Sequence, residues 1–148
     1  MSSSFPPMPA RSGSVLLEQV ILLSVLGICV AVGAAGSARA LDAAAVRGAS
    51  REIVELLALA RDRAMATGTR TAIRLDGRSS RIVVYAGTDT FARLDVRTSR
   101  RVTVSSTRDS LAYLSSGLGY GAANLRIIVS RGRSYDTLTV SRLGRVRR

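Results

Sequence analysis

Gly13-Ser14-Val15-Leu16-Leu17-Glu18-Gln19-Val20-Ile21-Leu22-Leu23 opens an apolar run, and after Glu18 no charge appears until Arg39. The twenty residues from Gln19 to Ala38 are uncharged, which is enough helix to cross the hydrocarbon core of a bilayer. A cleaved secretory signal is the competing reading, since Ala38-Arg39-Ala40 has the small-residue spacing of a signal-peptidase site. The apolar core of such a signal is only about 7–15 residues, shorter than this run. Glu18 is the informative residue, because a carboxylate in a membrane span costs about 2.5–3.5 kcal/mol and calls for a cation. Two placements satisfy it: the interface beside Arg11, or a neighbouring helix that brings a positive charge.

Outward from that stretch, Gly27, Gly33 and Gly36 with Ala31, Ala34 and Ala35 suit close helix packing in lipid. Cys29 reads as another small apolar residue. From Leu41 to Ala66, Leu41, Ala45, Ala49, Ile53, Leu56, Leu57, Ala60 and Ala64 recur at helical spacing. No proline separates the two stretches, so the spacing predicts one helix from Ser14 to about Ala66, with Gly48 a point where it can bend. Thr67-Gly68-Thr69 ends it. Beyond Thr69 the period becomes two, predicting strands at 70–75, 81–86, 91–96, 101–105, 111–115, 125–130, 137–141 and 143–147. An antiparallel sheet or small sandwich follows, packed on Ile53, Leu56, Leu57 and Ala60; the class is α+β.

Composition excludes much chemistry. The 148 residues include no His, a single Cys and 22 basic side chains, all Arg, against 10 acids, for a net charge of +12. A His-based triad, a His or Cys-rich metal site and an intrachain disulfide are all impossible. Without His, Lys or a second Cys, the usual partners that activate a nucleophile are missing. The expectation is no enzyme, no metal and no cofactor. Gly117-Leu118-Gly119-Tyr120-Gly121 is glycine-rich, but no Lys and no helix are expected after it, so it reads as a surface loop and not a phosphate cradle.

Gly13-Ser14-Val15-Leu16-Leu17-Glu18 resembles the leader signal of type IV prepilins and type II secretion pseudopilins. The resemblance implies that prepilin peptidase cuts between Gly13 and Ser14 and that the new amino terminus, Ser14, is methylated. Glu18 is then the fifth mature residue. Ser14 stands where that family usually has Phe or Met. Leu56-Leu57-Ala58-Leu59-Ala60-Arg61-Asp62-Arg63-Ala64 and the stretch from Asp136 to Arg147 are similar to the GspH/FimT-type minor pilins. The implied fold is pilin-like: leader 1–13, transmembrane half-helix 14–38, amphipathic half-helix 39–66 and antiparallel β head 67–148. The implied role is a minor pseudopilin in a secretion pseudopilus or type IV pilus, acting in fibre initiation or at the tip. Its implied place is the bacterial inner membrane, single-pass, with the head in the periplasm. Other pilin subunits, prepilin peptidase, and indirectly an assembly platform and ATPase are the implied partners. Physics points the same way: cleavage frees an amine that can neutralise Glu18 of an adjacent subunit. The positive-inside count is opposed, since Arg39, Arg47 and Arg51 follow the span while only Arg11 precedes it.

The carboxy-terminal arginines are the remaining signal. Residues 125–148 hold Arg126, Arg131, Arg133, Arg142, Arg145, Arg147 and Arg148 against Asp136 alone. Guanidinium forks suit phosphate oxygens. Gly144-Arg145-Val146-Arg147 also matches a tail that FimT-like members associate with DNA binding in transformation. Arg145, Arg147 and Arg148 are therefore candidate DNA contacts. The opposing reading is a solvated face, or contact with acidic partner subunits.

Overall fold

The computed structural model describes residues 12–120 and 125–148, with the backbone only at 12–14 and 35. The leader residues 1–11 and Gly121 of the glycine-rich stretch lie outside the described residues. The chain divides into two compact units, 1–38 and 39–148. Helix α1, Ser12–Thr67, supplies the described part of the first unit and the opening element of the second.

In the first unit, Val15 to Val32 present their apolar side chains outward on every side of α1. The helix is long and apolar enough to cross a membrane. Two of its hydroxyls are satisfied within the helix: Ser24 Oγ donates to Val20 O at 2.7 Å and Ser37 Oγ to Gly33 O at 2.9 Å. An apolar solvent tolerates a hydroxyl only when it is paired in this way.

In the second unit the buried stripe of α1 is Val46, Ala49, Ser50, Ile53, Leu57, Ala60 and Ala64. It begins one turn later than the spacing predicted: Leu41 is exposed, and Val46 replaces it as the first core residue. Gly68, at φ +65°, ends the run beyond α1 as a left-handed glycine does.

Two antiparallel sheets complete this unit. The first has the order β3-β2-β1-β5-β6, from β1 (Thr71–Asp76), β2 (Arg81–Ala86), β3 (Asp89–Asp95), β5 (Ser110–Tyr113) and β6 (Gly119–Tyr120). The second has the order β4-β7-β8-β9, from β4 (Thr103–Ser106), β7 (Leu125–Arg131), β8 (Ser134–Val140) and β9 (Val146–Arg147). Ile73, Leu75, Ile82, Val84, Leu111 and Tyr113 of one sheet meet Val104, Leu125, Ile127, Val129, Leu138 and Val140 of the other, and the α1 stripe joins the same core.

The local sequence misleads in three places. Between β3 and β4 the chain forms helix α2, Val96–Arg100, where the alternation predicted strand ending at Val96 and resuming at Arg101. Asp95 caps it by accepting from Thr98 N at 3.1 Å, and Arg101 closes it in the left-handed region at φ 53°. The predicted strand 143–147 is a turn followed by the two-residue β9; Ser141 N donates to Arg145 O at 2.9 Å and Gly144 N to Ser141 O at 2.9 Å. Gly119 and Tyr120, expected in a loop, pair with Tyr113 and Ala112 as β6.

Ion pairs tie the elements together. Arg100 reaches back to α1, its Nε 2.9 Å from Glu52 Oε1, with its guanidinium where a side chain on Gly48 would stand. Arg131 Nε lies 2.8 Å from Asp42 Oδ1 at the β7–β8 turn.

Candidate functional site

Gly13 and Ser14 lie in the first turns of α1, with Glu18 one turn beyond Ser14. Glu18 is exposed, and among the described residues no cation pairs with it. It projects from an apolar stretch of α1, with Val15, Leu16, Leu17, Val20, Ile21 and Leu22 around it, and Arg11 lies outside the described residues. The energetic demand for a partner charge is thus unmet by the described chain.

The carboxy-terminal arginines go to three different surroundings. Arg148 Nε lies 2.7 Å from Asp136 Oδ2, a close ionic contact without an aligned hydrogen bond. Arg147 is exposed on β9 opposite Thr139, which is itself opposite Arg126 on β7. Directly opposed residues share a sheet face, so Arg126 and Arg147 stand in one row, two strand spacings or about 9.5 Å apart. Arg145 rims a groove of about 380 Å³ against α1, lined by Val54, Ala58, Arg61, Asp62, Gly144 and Val146. Val146 between them turns inward and packs on the core. The alternation expected of the tail holds for Val146 and Arg147, while Arg126, distant in sequence, is brought in only by strand pairing.

Arg61 serves the fold, since its Nε donates to Gly117 O at 3.0 Å. That carbonyl also lies under Gly144, where a Cβ would stand 2.6 Å from it. Two loops thus meet over the buried ring of Tyr113. Burial pushes the Tyr113 phenol up to about 12, with the nearby Arg61 charge acting in the opposite direction. Among the described residues no group of three or more His, Cys, Asp or Glu is placed to hold a metal.

With helix, two sheets and loops defined, the head can be compared with known proteins. The family model described as type II transport protein GspH matches residues 49–144, from the core stripe of α1 through Gly144. The chain belongs to the GspH family. Among solved structures, the minor pilin FimU of the Pseudomonas aeruginosa type IV system shares its fold at a TM-score of 0.59 and 15% identity, covering 69% of this chain and 86% of that one. The minor pseudopilin EpsH of the Vibrio cholerae type 2 secretion system is similar at a TM-score of 0.58 and 14% identity, covering 69% and 94%. A comparison with curated protein sequences gives no match. This GspH-family chain thus has a pilin-like fold and an amino-terminal helix long and apolar enough to cross a membrane.

Proposed function

We propose that this GspH-family chain is a minor pseudopilin inserted in the bacterial inner membrane, head in the periplasm, and that it works at the initiation or tip of a fibre serving protein secretion. Prepilin peptidase removes residues 1–13 between Gly13 and Ser14, and Ser14 becomes the methylated amino terminus. The new ammonium pairs with Glu18 of an adjacent subunit and sets the register between helices. The platform protein and ATPase act on the growing fibre and need no site on this head.

The observation that carries this reading is Glu18, exposed on the apolar part of α1 with no partner among the described residues. An acid so placed is satisfied by assembly. Mass spectrometry of the membrane-extracted protein tests it. A methylated amino terminus at Ser14 is expected; an amino terminus at Leu41 would identify a cleaved secretory signal and end the proposal.

A second reading, display of a DNA-binding head for DNA uptake, is favoured by the Arg126–Thr139–Arg147 row. Arg145, Arg147 and Arg148 are the proposed contacts, with Arg126 joining them. The three tail arginines, at one neutralised phosphate each, give a log–log salt slope of about −2.7 on duplex DNA. Full-length protein in detergent carrying Arg145→Ala/Arg147→Ala is compared with the parent on a duplex. Equal affinities would remove the tail from this role.

A further inference from the structure

The outer face of the five-stranded sheet carries a pattern the sequence does not show. Strand register aligns Tyr85, Ala72, Ala112 and Tyr120 in one row across β2, β1, β5 and β6. The neighbouring row is Arg93, Val83, Arg74 and Ser110 across β3, β2, β1 and β5. Val83 and Ala112 lie on this side of the sheet, apart from the central core, and are buried beneath neighbouring side chains. The chain has only four Tyr, and two of them end one row whose middle is alanine.

The rows have the dimensions of a track. Tyr85 and Tyr120 are three strand spacings apart, about 14 Å, and the arginine row lies two residues along the strands, about 7 Å away. Tyr120 is exposed, and Arg70 covers its ring at 4.5 Å. A groove of about 570 Å³ opens beside it, lined by Arg70, Ala72, Arg108, Ser110, Ala112 and Tyr120. Asp109 is the acid on its wall. Asp76 and Asp95 lie one row further on, where Asp95 holds Arg81 and Asp76 is bonded to Ser79. Arg74 and Arg93 remain exposed.

We infer that this face binds single-stranded nucleic acid, with bases over the Tyr85–Ala72–Ala112–Tyr120 row and phosphates along Arg74 and Arg93. A flat aromatic stacks on any base, and a parallel cationic row follows the backbone; Arg70 occupies one face of the exposed Tyr120 ring, so a base takes the other. The groove lined by Ala72, Ala112 and Tyr120 is the space a base stacked on Tyr120 would enter. An acidic protein segment would match the charge but leave the tyrosine row without a purpose. A duplex keeps its bases stacked inside and cannot use that row.

The inference is independent of fibre assembly and of the carboxy-terminal tail, because it rests on a different sheet. The test is fluorescence anisotropy of fluorescein-labelled oligo-dT with full-length protein in detergent. Tyr120→Ala is expected to weaken binding about fivefold or more, and Tyr120→Phe to hold it within about twofold. Arg74→Gln/Arg93→Gln is expected to make the salt slope shallower by about 1.4. Arg145→Ala/Arg147→Ala is expected to leave oligo-dT affinity in place. Absence of binding, parental behaviour of both sheet variants, displacement by polyglutamate as effective as by unlabelled oligo-dT, or loss of binding in the tail variant alone would each overturn the inference.

Discussion

Gly144 lies against the ring of Tyr113: a Cβ on residue 144 would stand 3.0 Å from Tyr113 Cε1 and 2.6 Å from Gly117 O. Its φ of +72° is in the left-handed region. The glycine that opens the Gly144-Arg145-Val146-Arg147 tail thus closes the fold over a buried tyrosine and turns the chain into β9. Both the backbone conformation and the missing side chain are needed at this one position.

Gly144→Ala is therefore expected to destabilise the head by about 1–3 kcal/mol, because strain at positive φ adds to a clash with backbone. Urea unfolding followed by circular dichroism reads this directly. An unchanged midpoint would show that the turn relaxes without cost.

Tyr113 gives a pH signature. Its hydroxyl is buried with no hydrogen-bond partner among the described residues, and its pKa is raised from 10.0 to about 12. The raised value means the folded state holds the neutral phenol after the unfolded chain has ionised. The contribution is complete below pH 10 and is lost as pH rises towards 12. Urea midpoints should fall over that window in the parent and fall less in Tyr113→Phe. Because the lost hydroxyl has no partner among the described residues, Tyr113→Phe should cost less than about 1 kcal/mol at neutral pH.

Asp95 should matter for α2. Its carboxyl is held below the usual 3.8 first by the backbone bond from Thr98, with Arg81 adding to it. A lowered folded pKa gives stability that is present above 3.8 and lost as pH falls below it. Asp95→Ala should lower the melting temperature at pH 7, and Asp95→Asn, which keeps the capping oxygen, should lower it less. The difference between Asp95→Ala and the parent should shrink at acid pH. A constant difference from pH 7 down to pH 2 would assign the effect to something other than the charge.

For assembly, Glu18→Ala should still be processed and inserted, since an apolar residue is easier to place in lipid than an acid. Its incorporation into fibres should drop about tenfold or more, because the ammonium of the neighbouring subunit is left without its counter-charge. Fibre fractions probed with antibody to the head measure this. Parental incorporation would remove Glu18 from the register role.

By itself the sequence determined whatever rests on local periodicity: the apolar run with its single acid, the α1 stripe through Ile53, Leu57, Ala60 and Ala64, the alternating strands and the stop at Gly68. Neighbours along the chain decide each of these, so spacing suffices. Helix α2 was legible in principle from Asp95 and Thr98, a cap and its donor three residues apart, but the alternating apolar residues on either side masked it. Tertiary structure alone decided that β5 lies beside β1, that Arg126 stands in line with Arg147, that Arg148 is held by Asp136, and that Tyr85 and Tyr120 share a row. Those relations depend on which strand pairs with which and in what register. Pairing is selected by how the whole set of side chains fills one core between two sheets and a helix, a condition that no single segment carries.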